Sequence, residues 1–170
     1  MTRLGWIMTT CFAVFFVGAS APFPSIPKLI WNASASVPIG LYLARPADAL
    51  HIGEIVVVRP PAAVASFLAE RGYLARGVPL LKRVLALPGQ AVCRTGRAVA
   101  VDGMTVGEAL DRDHLERVLP QWTGCRIVAD SEVFLMNWRS TNSFDGRYFG
   151  PLSASTIVGV AVPLWTKMDN

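Results

Sequence analysis

The N-terminal part of the chain is a long run without charge, and it constrains the fold more than any other feature. No charged residue occurs between Arg3 and Lys28. Residues 4–21 come close to the ~20 apolar residues that a helix needs to cross the hydrocarbon core of a bilayer. Three prolines follow and are expected to end that helix. We therefore predict a membrane anchor over residues 1–27.

The orientation of this anchor follows from its flanking charge. Arg3 is expected to stay on the cytoplasmic side, which sends the rest of the chain across the membrane. The alternative is a cleaved signal peptide, since Ala19-Ser20-Ala21 resembles the small-x-small cleavage pattern. Pro22 would then follow the cut, where its ring and missing N–H suit cleavage poorly. An uncleaved anchor is the favoured interpretation.

Residues 28–170 have the texture of a mainly β domain. Short apolar and β-branched runs alternate with Gly and Pro, which is typical of strands joined by turns. Asp102-Gly103 is a hairpin dipeptide, and apolar spacing predicts one short helix over residues 62–76. A charged excursion occupies residues 106–119. Strands are predicted at residues 41–43, 51–60, 80–87, 91–93, 98–101, 132–137 and 157–162.

Composition excludes some functions. The net charge is +4, and the basic residues form no run and do not alternate with aromatics, so nucleic-acid binding is not supported. Hydrophobic residues reach 52% and charged residues only 16%, and both values lean apolar for a soluble domain.

Cys93 and Cys125 are either a disulfide or two buried thiols. No CxxC and no Cys/His cluster is present, so no metal site is expected.

Residues 32–42 carry two serines on a constrained backbone. Pro38 fixes its own φ and disfavours the helical region for Val37, so Ser36 is expected on extended or turning backbone with its hydroxyl exposed. Ser34 lies two residues before it. A turn with two solvated serines is the alternative interpretation.

Lys82 interrupts an apolar strand, where lysine is seldom found without a partner or a role. In a strand its side chain shares a face with Leu80 and Val84. Burial can lower a lysine pKa by up to about 3–5 units, enough to make its amine a general base near neutral pH. Alternatively the amine reaches water from a strand end. Nothing around His51 or His114 supports a Ser-His-Asp arrangement instead.

A third polar stretch is Ser143-Phe144-Asp145-Gly146-Arg147. If extended, Ser143, Asp145 and Arg147 share one face. Asp145 and Arg147 can then form an ion pair, and Ser143 can orient a nearby amine by a hydrogen bond. A polar turn before the last strand is the alternative.

Taken in order, these stretches resemble the type I signal peptidase superfamily of Ser-Lys proteases, and most closely its conjugative-transfer, TraF-type branch. The resemblance implies a signal-peptidase-like β catalytic domain behind an N-terminal transmembrane helix. It implies Ser36 as nucleophile, with Ser34 the less favoured candidate, and Lys82 as general base. Ser34 then contributes to the oxyanion hole. Ser143 supports the lysine, and Asp145 and Arg147 form a structural pair.

The resemblance also implies a function. We expect a membrane-bound serine endopeptidase of the bacterial inner membrane, single-pass, with residues 28–170 in the periplasm. Its substrate would be an exported precursor, a conjugative pilin, which some relatives also cyclise. Membrane lipid and pilus assembly proteins are expected partners, and no metal or nucleotide cofactor is implied.

Three alternatives remain for this function. Pro38 lies only two residues after Ser36, which differs from housekeeping signal peptidases, but a general type I signal peptidase is the first alternative. A non-catalytic envelope scaffold subunit of a conjugation apparatus is the second. The LexA-like autoproteases share Ser-Lys chemistry, but the predicted anchor and the missing DNA-binding helices argue against them.

Overall fold

A computed structural model describes residues 2–19 and 29–167 of the 170-residue chain. Within these residues the chain is mainly β, as predicted, with strands in two antiparallel sheets and three α-helices. The helices are α1 (Arg3–Ala19), α2 (Ala62–Glu70) and α3 (Gly146–Phe149). The strands are β1 (Leu29–Asn32), β2 (Gly40–Arg45), β3 (Ile55–Val58), β4 (Leu80–Ala86), β5 (Ala91–Thr95), β6 (Ala98–Val101), β7 (Met104–Glu108), β8 (Gly124–Ile127), β9 (Glu132–Leu135), β10 (Leu152–Ser153) and β11 (Ile157–Thr166).

Helix α1 coincides with the first part of the uncharged run. It has 17 residues, and large apolar side chains such as Phe12, Phe15 and Phe16 are exposed on it. Among the described residues, no helix combines the length and the apolar character that crossing a bilayer requires. The three prolines predicted to end the helix, and Ser20-Ala21 of the alternative cleavage site, lie outside the described residues. The anchor over residues 1–27 therefore stays a prediction.

The larger sheet has seven strands in the order β1-β2-β11-β3-β4-β9-β10. Strand β3, Ile-Val-Val-Val, is buried at every position. Val56 and Val58 pack into one apolar cluster and Ile55 and Val57 into another, so the middle of this sheet is covered on both faces. This explains why β3 is a continuous apolar run, and why β4 is apolar apart from Lys82 and Arg83.

The smaller sheet has the order β7-β6-β5-β8 and packs on the end of β9. Val92 and Val99 contact Phe134 and Met136 in a shared apolar cluster. Cys93 and Cys125 face each other across β5 and β8 and form a disulfide. Of the two interpretations open for these cysteines, the structure has the disulfide.

Several predicted boundaries were wrong. The helix predicted to reach residue 76 ends at Glu70, because Gly72 adopts a left-handed backbone and the N–H of Tyr73 returns to the Leu68 carbonyl. The last strand continues beyond residue 162 to Thr166, past a bulge that tolerates Pro163. Strands β1, β8 and β10 were missed, and the start of the charged excursion belongs to β7. The strand predicted over residues 51–60 is confined to β3.

Candidate active site

The loop between β1 and β2 carries the two serines, and the side chain of Asn32 organises it. Asn32 Nδ2 donates to the carbonyls of Ser34 at 2.8 Å, Val37 at 3.0 Å and Pro38 at 3.1 Å. Its Oδ1 accepts from the backbone N–H and the hydroxyl of Ser34. Tyr42 also donates to the Pro38 carbonyl, at 2.6 Å. One buried amide thus fixes the backbone of the serine loop at both ends.

The two hydroxyls of this loop are hydrogen-bonded to each other. The Ser34 and Ser36 oxygens are 3.1 Å apart. Because the Ser34 hydroxyl donates to Asn32 Oδ1 at 3.0 Å, it is the Ser36 hydroxyl that donates within the serine pair. The Ser36 hydroxyl therefore donates to a neutral oxygen, and it can switch this hydrogen bond to a stronger acceptor.

Lys82 lies in β4, and its side chain is only 4% exposed. Its Nζ donates to Ser143 Oγ at 2.7 Å. Within residues 2–19 and 29–167, no carboxylate lies within 4.0 Å of this nitrogen. Burial lowers the pKa of Lys82 from 10.5 to about 8, with Asp145 opposing this change and Arg147 adding to it. A substantial neutral fraction is therefore accessible just above neutral pH.

The stretch from Ser143 to Arg147 is not extended, so the interpretation that its alternate residues share a strand face was wrong. Asp145 caps the N-terminus of the short helix α3, where its carboxylate accepts from the Arg147 N–H. The guanidinium of Arg147 binds both carboxylate oxygens at 2.9 Å and also donates to the carbonyls of Ser140 and Ser143. Asp145 and Arg147 are both buried. This bidentate pair holds the turn that presents Ser143 to Lys82.

One cavity of about 710 Å³ joins the serine loop to β4. Four of the six predicted site residues line it: Ser34, Ser36, Lys82 and Ser143. Asp145 and Arg147 are not in its wall and lie behind Ser143. Among the hydrogen bonds of the described residues, none joins Lys82 to Ser36. The structure thus places the two predicted catalytic side chains on one cavity, with no hydrogen bond between them among the described residues.

The loop after α2 also contributes to the cavity wall, as do residues 109–119, which we call the cap segment. Asp113 holds the cap segment in place: it accepts from the hydroxyl of Tyr73, from Arg117 Nε at 2.8 Å and from two backbone N–H groups of the segment itself. Asp113 and His114 both line the cavity. The charged excursion therefore contributes to the cavity wall, although much of it is exposed.

Sequence reasoning missed two asparagines of this site. Asn32 and Asn137 are 7% and 1% exposed, and each bonds through both ends of its amide. One pattern in the sequence could have indicated them. Each is an uncharged polar residue at the end of a run of apolar residues, and each comes just before a stretch with candidate site residues. Buried amides need partners on both atoms, which makes such positions informative.

Comparison with known proteins identifies the family of this chain. A family model described as "Signal peptidase, peptidase S26" matches residues 1–165. The chain belongs to this family of signal peptidases, and its relatives place it in the TraF-type branch. A plasmid transfer protein TraF of Escherichia coli is 35% identical over 144 residues, covering 79% of this chain and 81% of the relative. A conjugal transfer protein TraF of Agrobacterium tumefaciens is 37% identical over 150 residues, with the same coverage of both chains.

The likeness to a solved structure is weaker. A crystal structure of a signal peptidase I from Enterococcus faecalis is 18% identical, with a TM-score of 0.38, covering 66% of this chain and 97% of that one. This likeness is too weak to define the fold. The mainly β fold is defined by the sheets described above, and the family by the sequence relatives.

Proposed function

We propose that this protein is a membrane-bound Ser-Lys endopeptidase that processes an exported precursor, in which Ser36 is the nucleophile and Lys82 the general base. The observation that carries the proposal is the environment of Lys82. Its amine is buried, has no carboxylate partner among the described residues, and donates to a neutral hydroxyl. Because no ion pair offsets the cost of burying its charge, the neutral form of this lysine is favoured. A neutral amine can accept a proton, so the arrangement suits proton transfer.

The chemistry follows from the residues on the cavity. Neutral Lys82 accepts the Ser36 proton as Ser36 Oγ attacks the scissile carbonyl, and the protonated lysine then gives that proton to the leaving amine. Ser34 and the Ser36 backbone N–H are the proposed donors to the oxyanion. For this the Ser34 hydroxyl turns from Asn32 to the substrate. Hydrogen bonds of this kind often form only in the substrate complex, so the absence of a Lys82–Ser36 bond in the free protein is compatible with the scheme.

The proposed substrate is a precursor of a conjugative pilin, and the proposed site of action is the periplasmic face of the inner membrane. Two observations support this: the curated relatives are named for plasmid and conjugal transfer, and α1 exposes apolar side chains. The acyl-enzyme would be resolved by water, or by an amine of the same substrate if the product is cyclic. Assembly proteins of the pilus and membrane lipid are the proposed partners.

The test is a processing assay with the full chain in membranes and a pilin precursor from a conjugation system. Ser36→Ala and Lys82→Ala are expected to abolish cleavage, and Ser34→Ala to slow it by about 100–1000-fold. Two matched controls are Ser155→Ala, whose hydroxyl is paired with Ser153 in the same i, i+2 arrangement, and the exposed Lys167→Ala. Both are expected to cleave normally.

The same assay separates the alternatives. Cleavage of diverse secretory precursors with no preference for the pilin precursor would indicate a general signal peptidase. Processing that survives Ser36→Ala and Lys82→Ala would indicate a scaffold subunit and would refute the proposal. If Ser34→Ala is inactive while Ser36→Ala cleaves, the roles of the two serines are exchanged.

A further inference from the structure

A buried asparagine, Asn137, lies two residues beyond the end of strand β9, and neither the proposed reaction nor the family resemblance uses it. The side-chain amide of Asn137 pairs with β4 in the way a peptide group of a neighbouring strand would. Its Oδ1 accepts from the Arg83 N–H at 2.9 Å, and its Nδ2 donates to the Leu81 carbonyl at 3.3 Å. These two backbone groups lie immediately before and after Lys82. One side chain therefore holds the backbone of the lysine on both sides.

The same amide reaches the hydroxyl that contacts the lysine. Asn137 Nδ2 lies 3.4 Å from Ser143 Oγ, which accepts from Lys82. The bond from the Arg83 N–H fixes which end of the amide is oxygen, so the end that faces Ser143 is NH₂ and can only donate. Ser143 must then turn a lone pair toward Asn137, which restricts the rotation of its hydroxyl. The backbone N–H of Asn137 also donates to Asp145 Oδ2 at 3.0 Å.

We propose that Asn137 is a positioning residue for the candidate general base: its amide fixes the strand on both sides of Lys82 and the hydroxyl of Ser143, and so aims the lysine amine at the cavity. This inference rests on the proposed function. Asn137 is not assigned a contact with substrate, and it acts through Lys82 and Ser143. A misplacement of about 1 Å in a catalytic group can cost about 100-fold in rate, so the support is expected to be visible in kcat.

The first test uses Asn137→Ala, with Val133→Ala as the matched control. Val133 is fully buried on β9 and packs in an apolar cluster, and its side chain has no polar atom that could hold β4 or Ser143. We expect Asn137→Ala to lower kcat by about 10–100-fold with little change in KM, and Val133→Ala to keep kcat near that of the wild type. The double variant Asn137→Ala with Ser143→Ala is expected to lose no more than the worse single one. Equal kcat for Asn137→Ala and Val133→Ala would overturn the proposal. So would a double variant in which the losses from Asn137→Ala and Ser143→Ala multiply.

The second test needs no enzymatic activity. The chain has three lysines, at positions 28, 82 and 167, so ε-¹³C-lysine labelling gives few signals, and Lys82→Met assigns one of them. Asn137→Asp keeps the shape and the acceptor for Arg83 but places a carboxylate beside Ser143. The other charges that face Lys82 are Asp145 and Arg147, with Asp113 and His114 elsewhere on the cavity wall, and none of them is changed.

In Asn137→Asp the titration midpoint of Lys82 should move to higher pH, because a nearby negative charge favours the protonated amine. The pH–rate profile should move with it. A Lys82 midpoint equal to that of the wild type would overturn the proposal, as would failure of both Asn137 variants to fold while Val133→Ala folds. Failure of the proposed function would be distinguishable, because Ser36→Ala would then still cleave whatever the Asn137 variants do.

Discussion

Replacing Lys82 with methionine is expected to stabilise the folded chain at neutral pH. Burial lowers the pKa of Lys82 from 10.5 to about 8 in the folded state. At about 1.4 kcal/mol per pKa unit, this difference corresponds to about 3 kcal/mol of folding free energy. Methionine has a similar unbranched shape and carries no charge, so it removes this cost and keeps the packing.

The stability difference between wild type and Lys82→Met is expected to depend on pH. Between pH 8 and 10.5 the unfolded chain binds a proton at Lys82 that the folded chain has released, so wild-type stability rises with pH there. Below pH 8 both states are protonated and this contribution is constant. The stability advantage of Lys82→Met should therefore shrink by about 3 kcal/mol from pH 7 to about pH 11, almost all of it above pH 8.

The measurement is urea unfolding of the full chain in detergent micelles at a series of pH values, for wild type, Lys82→Met and the exposed control Lys167→Met. Taking differences from the wild type cancels the titration of all other groups. The control should show no pH-dependent difference. If the difference for Lys82→Met stays constant within about 0.5 kcal/mol across this range, the lysine is not held in a desolvated site and the argument for a general base fails.

Three further outcomes are expected. Arg147→Met should lower stability by about 3–5 kcal/mol in urea unfolding, because it leaves the buried carboxylate of Asp145 without its partner; a loss no larger than that of an exposed substitution would contradict this. Gly146→Ala should also destabilise the fold, measured as a lower melting temperature, since its Cβ would lie 2.6 Å from the Phe134 ring. Asp113→Asn should loosen the cap segment and raise KM with kcat nearly unchanged in steady-state kinetics, and a fall in kcat alone would contradict a role in the cleft wall.

The sequence predicted the strands whose apolar side chains are buried, and it predicted the polar stretches that line the cavity. β3 and β4 are easy to recognise in the sequence, because both faces of the sheet are covered there and most of their residues are therefore apolar. β8 could not be predicted, because all four of its residues are exposed and its place is fixed by a disulfide to a partner 32 residues away.

The details of the site could be predicted only in part. Ser143 and Asp145 were recognised as a unit, but their geometry depends on a helix of four residues that begins at a capping aspartate. Such a short helix has no periodicity to detect, so alternation was the wrong guide. Asn137 was missed because its partners are backbone groups of another strand, 54 and 56 residues away in the chain. Contacts of that kind leave no local pattern.

The two candidate reacting groups lie on backbone segments that are supported in different ways. Lys82 is carried by a strand that is hydrogen-bonded to β3 and β9 and packed from above and below. Ser36 is carried by a loop whose shape depends on Asn32 and Tyr42. Under the proposed mechanism, adjustment to an arriving polypeptide would therefore fall to the serine loop, while the strand that carries Lys82 stays fixed. Amide exchange in this protein should accordingly be far faster around Ser36 than around Lys82.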